Sequence, residues 1–437
     1  MPVSIQIRNL DLSKFNPFSL YSTVLIFQAK ICPVIVQLTA FFVLFMGLPA
    51  HALNYTFPGF IPLGCSGGNG VYSCGNLSIG LLDTIAVTLP TTITINGALN
   101  ASAYSSINSG KDASFLTFIV VGETNLGVGL LNYVVNANVI TNGTPITVAA
   151  LAKINGSIST GAGAVNMGNG SIITGSISTT AGIVSIGNTA QVTGDITTAA
   201  GGVNVGNNST IGGLISTTAG VVTIGDSSVV KGTITTRDAA VNVGANSQTG
   251  AISITNAGAA TVGVNSQVLG FIKTVSGAIN VGDGSLINSY IFSSVAGATT
   301  LGTNVIVGAG VLSYGALVTG TGTKIGGGAG TTAGALTLGG KSVVAGSTCA
   351  NGAGAITLND NSEVLGNIES NAGAITIGAG SKVGGTVTAR GAGAVTYGAN
   401  TQIGTTASSS RCDDVLSVVV KPARKIKSRQ WRQIYMR

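Results

Sequence analysis

Histidine is almost absent: the one present, His51, closes an apolar run near the N-terminus. With no imidazole after it, Ser-His-Asp and Cys-His nucleophiles, the common zinc sites and imidazole acid-base catalysis are excluded from the rest of the chain. Charge is also scarce, at 8% of residues, and aromatics make up 5%, with one tryptophan. That is far from the composition of an ordinary enzyme. Valine, isoleucine and leucine nevertheless remain frequent and periodic, so the chain is not of the disordered class either. What it holds in quantity is glycine, 66 of 437 residues.

Those glycines are spaced. Gly168, Gly187, Gly206, Gly225, Gly244, Gly263 and Gly282 follow one another at intervals of 19 residues. A unit this short has no core of its own and must bury its apolar face against copies of itself. Each glycine ends an alternating triplet, as in Val165-Asn166-Met167, Val184-Ser185-Ile186 and Val203-Asn204-Val205. Period-two alternation of this kind is a half-buried strand. A Gly-x-Ile segment upstream and a Ser-x-Val-like segment downstream complete three strands and three corners per unit. The corners carry Ala-Gly, Gly-Asn and Gly-Asp pairs, whose glycines are expected to take positive φ.

The pattern predicts an all-β fold, a parallel β-solenoid (β-helix) with ~19-residue coils stacked at about 4.8 Å and capped at both ends. Residues 151–405 are the solenoid repeats. Residues 53–150, with the strand-like runs Thr91–Asn96 and Phe115–Val121, are an N-terminal β cap and the first irregular coils, covering an otherwise sticky edge. Residues 406–437 are a C-terminal cap, with Val415–Val420 as its strand, and a basic tail. Between Leu301 and Leu338 the motif blurs and Gly308 to Gly328 is dense in glycine. This reads as a bulged or looped-out coil, for which degeneracy is a plainer reason than a binding insertion.

The two ends differ in kind from the repeats. Residues 1–52, with an apolar stretch over 33–50 and small residues around His51, read as a signal peptide cleaved after Ala52, with a retained anchor as the alternative that its long leader leaves open. The expected location is therefore extracellular or the outer cell surface. Export permits disulfides, and Cys65 and Cys74, nine residues apart in a glycine-rich loop, are the expected pair. Cys349 and Cys412 lie 63 residues apart, about 15 Å along the axis at the rung spacing. Their pairing stays open, because only a tail that folds back brings them within reach.

From Lys421 to Arg437 there are seven basic residues and no acidic one, whereas residues 53–420 hold 10 basic and 12 acidic. Arg424, Lys425, Lys427, Arg429, Trp431, Arg432 and Arg437 form a candidate anchor for cell-envelope polysaccharide or a lipid surface. A solvated or capping tail fits equally well. Nucleic acid is not an expected partner.

No catalytic, metal or cofactor residue is assigned, and the chain reads as no enzyme. Asp226 and Asp283 share a repeat position but are 57 residues apart, about 14 Å, too far for a glycosidase pair at about 5 to 9.5 Å. Asp195, Asp238, Asp360 and Glu369 fall at other repeat positions. Glu363 and Lys382, 19 apart, should stack as a surface ion pair of small value. Ser109-Gly110-Lys111-Asp112 lacks most of a phosphate-loop pattern, and Gly282-Asp283-Gly284 is an isolated fragment. One surface column does stand out: Asn166, Ser185, Asn204, Thr223, Asn242, Thr261, Asn280 and Thr300, continuing as Thr337, Thr357, Thr376 and Thr396. It is expected to bond along the axis; a face binding ice or polysaccharide is the sharper alternative.

The opening from Gly64-Cys65 to Cys74-Gly75, the run Thr91–Asn96, and coils such as Gly156-Ser157-Ile158-Ser159-Thr160 and Val184-Ser185-Ile186-Gly187-Asn188 resemble a known family. It is the secreted β-solenoid region of the mannose-sensitive haemagglutinin pilus biogenesis (MshQ-like) proteins of Gram-negative bacteria, over about residues 60–410. The coils are also similar in architecture to the polymer-forming bactofilins. The resemblance implies cell-surface structure or adhesion, and end-to-end self-association is a further candidate. The function expected from the sequence is thus an exported, non-enzymatic structural or adhesive β-solenoid. Ice or polysaccharide binding comes second and a polysaccharide-active enzyme third.

Overall fold

The structure, a computed structural model of the chain, describes residues 52–102, 104–128 and 133–405. These residues form an all-β parallel β-solenoid of about 17 turns with almost no helix. Each regular coil has three strands on three faces. In one coil, Ile172–Ile173 lies on face A, Ile177–Thr179 on face B and Val184–Ile186 on face C. The next coil repeats them in register, with Ile173 beside Val192, Ile177 beside Ile196 and Val184 beside Val203. Strands this short bury one or two side chains each, so Ile173, Ile177, Val184 and Ile186 fill the interior of their coil. The core is a set of apolar columns along the axis, each supported only by the coils before and after it.

The solenoid begins before the regular repeats. Asn54–Phe57 pairs with Thr84–Val87, which pairs in turn with Ser106–Ile107, then Val134–Val135, then Lys153–Ile154. The successive steps are 30, 22, 28 and 19 residues, so the early coils are longer. Larger side chains fill them: Phe57, Tyr72, Phe118 and Tyr133 are buried, and Phe57 meets Tyr72 edge-on at 4.8 Å between centroids. At the start of face B, Cys65–Gly68 pairs antiparallel with Val71–Cys74, whose other edge pairs parallel with Thr92–Ile95. A turned-back strand thus covers the first edge of that face. Cys65 and Cys74 sit directly opposite in this hairpin and are joined by a disulfide.

Two expectations change. The segment between Leu301 and Leu338 is neither bulged nor looped out. Val311–Ser313 and Leu317–Thr319 pair in register with the coils on both sides, and Val311 and Leu317 point inward as core residues. The blur arises because its glycines occupy corners and outward positions, which leaves the core intact. The register shift lies earlier, between Thr274 and Ser276 against Ile291–Ala296.

The second change concerns the periodic glycines. The left-handed residue of each regular corner falls two positions after them, at Asn208, Ser227, Asn246 and Asn265, with φ of 57°, 56°, 54° and 54°. Gly206 and its equivalents are needed for closeness instead. A Cβ on Gly206 would lie 2.7 Å from the backbone nitrogen of Asn188 in the preceding coil, and one on Gly263 would lie 2.6 Å from the carbonyl carbon of Gly244.

Candidate functional site

The polar side chains that stack along the axis do so at the corners. Between faces C and A, Asn169 Oδ1 accepts the N–H of Asn188 at 2.8 Å, Asn188 accepts that of Asn207 at 2.8 Å, and Asn207 that of Asp226 at 2.8 Å. Asp226 continues the column by accepting the N–H of Ala245 at 2.7 Å; Asp283 and Asp360 do the same for Thr303 and Ala379. Beside this column, Ser209, Ser228, Ser247, Ser266 and Ser285 are buried, and each hydroxyl accepts a backbone N–H from the preceding coil. Between faces A and B, Ser157, Ser176 and Asp195 accept the N–H groups of Ser176, Asp195 and Leu214.

The carboxylates are therefore largely engaged in holding backbone. Asp83 accepts from Leu53 at 2.8 Å and Gly80 at 2.7 Å, and Asp112 caps the turn at Ser114 at 2.9 Å. The backbone N–H of Ser114, the larger cause, and its side chain hold Asp112 below the usual carboxylate range. Asp238 is likewise lowered, first by a hydrogen bond from Asn256 and then by one from Arg237. Glu369 pairs with Arg390. Glu363 and Lys382 do stack in register, but among the described residues the ion pairs are Arg237–Asp238 and Arg390–Glu369. Asp226 and Asp283 stand three coils apart and serve the same corner role, and Asp360, expected from the sequence to fall elsewhere in the repeat, serves it too, two residues after its face C strand. Among the described residues no three His, Cys, Asp or Glu side chains converge to hold a metal.

The column from Asn166 to Thr300 lies on the outer side of face C, one residue per coil in register. All of its members are exposed except the half-buried Ser185. Among the described residues no hydrogen bond joins its neighbours; the axial bonding expected here is carried by the corner columns. Val318 occupies the place between Thr300 and Thr337. Because a three-residue strand turns only its middle residue outward, face C presents one column rather than a two-dimensional array.

Face B carries a feature of a different kind. Phe271 and Tyr290 stack with centroids 5.1 Å apart and planes 5° from parallel. Two residues on, Lys273 lies over the ring of Phe292 at 6.0 Å. All four are half-buried. The sequence signal was there, since Phe271 and Tyr290 are 19 residues apart, as are Lys273 and Phe292, and aromatics are otherwise rare.

The basic tail residues Arg424 to Arg437, the strand expected at Val415–Val420 and residues 1–51 of the expected signal peptide lie outside the described residues. No helix among the described residues is long and apolar enough to cross a membrane. No family model matches this chain, and no curated protein or solved structure does so either.

Proposed function

We propose that the chain is an exported, non-enzymatic β-solenoid that serves as a structural or adhesive element of the cell surface. The observation that supports this reading best is the use of its carboxylates. Asp83, Asp195, Asp226, Asp283 and Asp360 each accept backbone N–H groups that hold one part of the chain to another. A carboxylate occupied in this way is poorly placed as an acid or base, which must be free to reach a substrate proton. The Cys65–Cys74 disulfide suits an oxidising compartment.

The adhesive part of the reading favours polysaccharide, because Phe271, Tyr290, Phe292 and Lys273 gather aromatic surface and a cation on one face of a chain with little of either. Localisation tests the proposal. Protease shaving and fractionation of cells making the tagged full chain should place it outside the cytoplasmic membrane. Confinement to the cytosol would overturn the reading.

A further inference from the structure

On face B the middle residue of each strand points outward, and in most coils it is exposed or half-buried. Ile119 and Ile140, on successive early coils, are 38% and 40% exposed. Three coils break this rule. Leu312, Gly330 and Cys349 occupy the same outward column in register. Leu312 is 3% exposed and Cys349 is 1% exposed. The column beside it, Gly310, Gly328 and Ser347, is buried as well. Three glycines among these six positions leave the outer surface low, a shallow trough about two rungs, or 10 Å, long.

Cys349 is disulfide-bonded, and Ser347, Cys349 and Asn367 each have a partner beyond the interactions described above. Cys65 and Cys74 bond each other, so of the five cysteines only Cys32 and Cys412 can bond Cys349. Chain length discriminates between them. Face A places Cys349 three rungs before the last strand, Gln402–Ile403, or about 14 Å. The seven residues from Thr405 to Cys412 span up to about 23 Å when extended. From the first strand, Asn54–Phe57, the count is fourteen rungs, or about 67 Å. That consumes nearly the whole extended reach of the 22 residues from Cys32 to Asn54, about 73 Å.

We infer that the C-terminal segment folds back over face B, bonded through a Cys349–Cys412 disulfide, and covers Gly330 and Leu312. Past Cys412, three extended residues cover the remaining 10 Å or so, which brings Val415 and Leu416 to Leu312. The glycines blurred in the repeat are thus the floor of a docking trough. The basic run from Lys421 leaves the solenoid from its side rather than from its end.

Two measurements on the full chain test this. Peptide mapping without reduction, after blocking free thiols, should recover a Cys349–Cys412 linkage; a Cys349–Cys32 linkage or a free Cys349 overturns the assignment. Hydroxyl-radical footprinting then reads the covering. In the unaltered chain Leu312 should label several-fold less than Ile140, its exposed counterpart. In the combined variant Cys412→Ser, Val415→Asp, Leu416→Asp it should rise to the Ile140 level. Labelling of Leu312 that is unchanged by the variant overturns the docking, and the mapping result stands whether or not the variant folds.

Discussion

Ser228 stands inside the corner of the coil before its own: its hydroxyl accepts the N–H of Ser209 at 3.2 Å and donates to the carbonyl of Gly206 at 2.9 Å. These two groups are the ends of one four-residue turn, and the hydroxyl of the next coil bridges them. Ser247, Ser266 and Ser285 repeat the arrangement on successive coils. Each coil thus supplies the hydrogen bond that closes its predecessor's corner.

Removing one such hydroxyl leaves a buried donor and a buried acceptor without a partner, which costs about 1–3 kcal/mol. Ser228→Ala and Ser247→Ala should each lower stability by that amount in denaturant titrations. Thr223→Ala, on the exposed column of face C, should change it by less than about 0.5 kcal/mol. Equal effects at the two kinds of position would contradict the assignment of the axial ladder to the corners.

The periodic glycine should tolerate no side chain. A Cβ on Gly225 would meet the backbone nitrogen of Asn207 at 2.8 Å, and backbone cannot swing aside as a flexible side chain can. Gly225→Ala should therefore destabilise the solenoid, by about 1–3 kcal/mol as other overpacked sites do. At Gly143, where a Cβ meets nothing within 4 Å, the same change should be close to neutral. Calorimetry on the two variants checks the contrast.

One corner is strained by its own residue. Thr189 is β-branched, exposed and held at φ 56°, where its equivalents on the flanking coils are Gly170 and Asn208. The left-handed region costs about 1–2 kcal/mol for such a residue. Thr189→Asn should recover about 1 kcal/mol of this, read as a rise in melting temperature.

Burial drives the phenol of Tyr133 well above its ordinary range. The raised folded value means that the stabilisation is fully present below the unfolded pKa of about 10 and is lost as pH climbs past it. Melting temperature should be level from pH 7 to 9 and fall above about pH 10. Tyr133→Phe should reduce that alkaline loss, and an identical pH profile for the variant would contradict the burial effect.

Much of the fold was legible because it repeats. Once Gly168 to Gly282 set the step, the alternation around each glycine fixed which side of Val203 and Val205 faces inward, and hence the columns. What did not repeat was harder to read. The coils before Lys153 vary in length and bury aromatics such as Phe118 in place of the regular Val and Ile columns, and no period survives such variation. The role of the column glycine was misread because its cause is the coil stacked beneath it, which a local reading of φ does not contain. The Phe271–Tyr290 and Lys273–Phe292 pairs are visible as 19-residue spacings, but spacing alone does not say that the rings face each other. The trough at Leu312 and Cys349 is legible only where burial contradicts orientation.

The in-register stack is the premise of every assignment above, and engineered disulfides test it most directly. Thr223→Cys with Asn242→Cys places two cysteines on adjacent rungs of face C, about 4.8 Å apart and within disulfide reach. Thr223→Cys with Asn280→Cys separates them by three rungs, about 14 Å. Mapping after mild oxidation should find the first bond formed within single molecules and the second absent. A second bond as abundant as the first, or no first bond at all, would contradict the solenoid register.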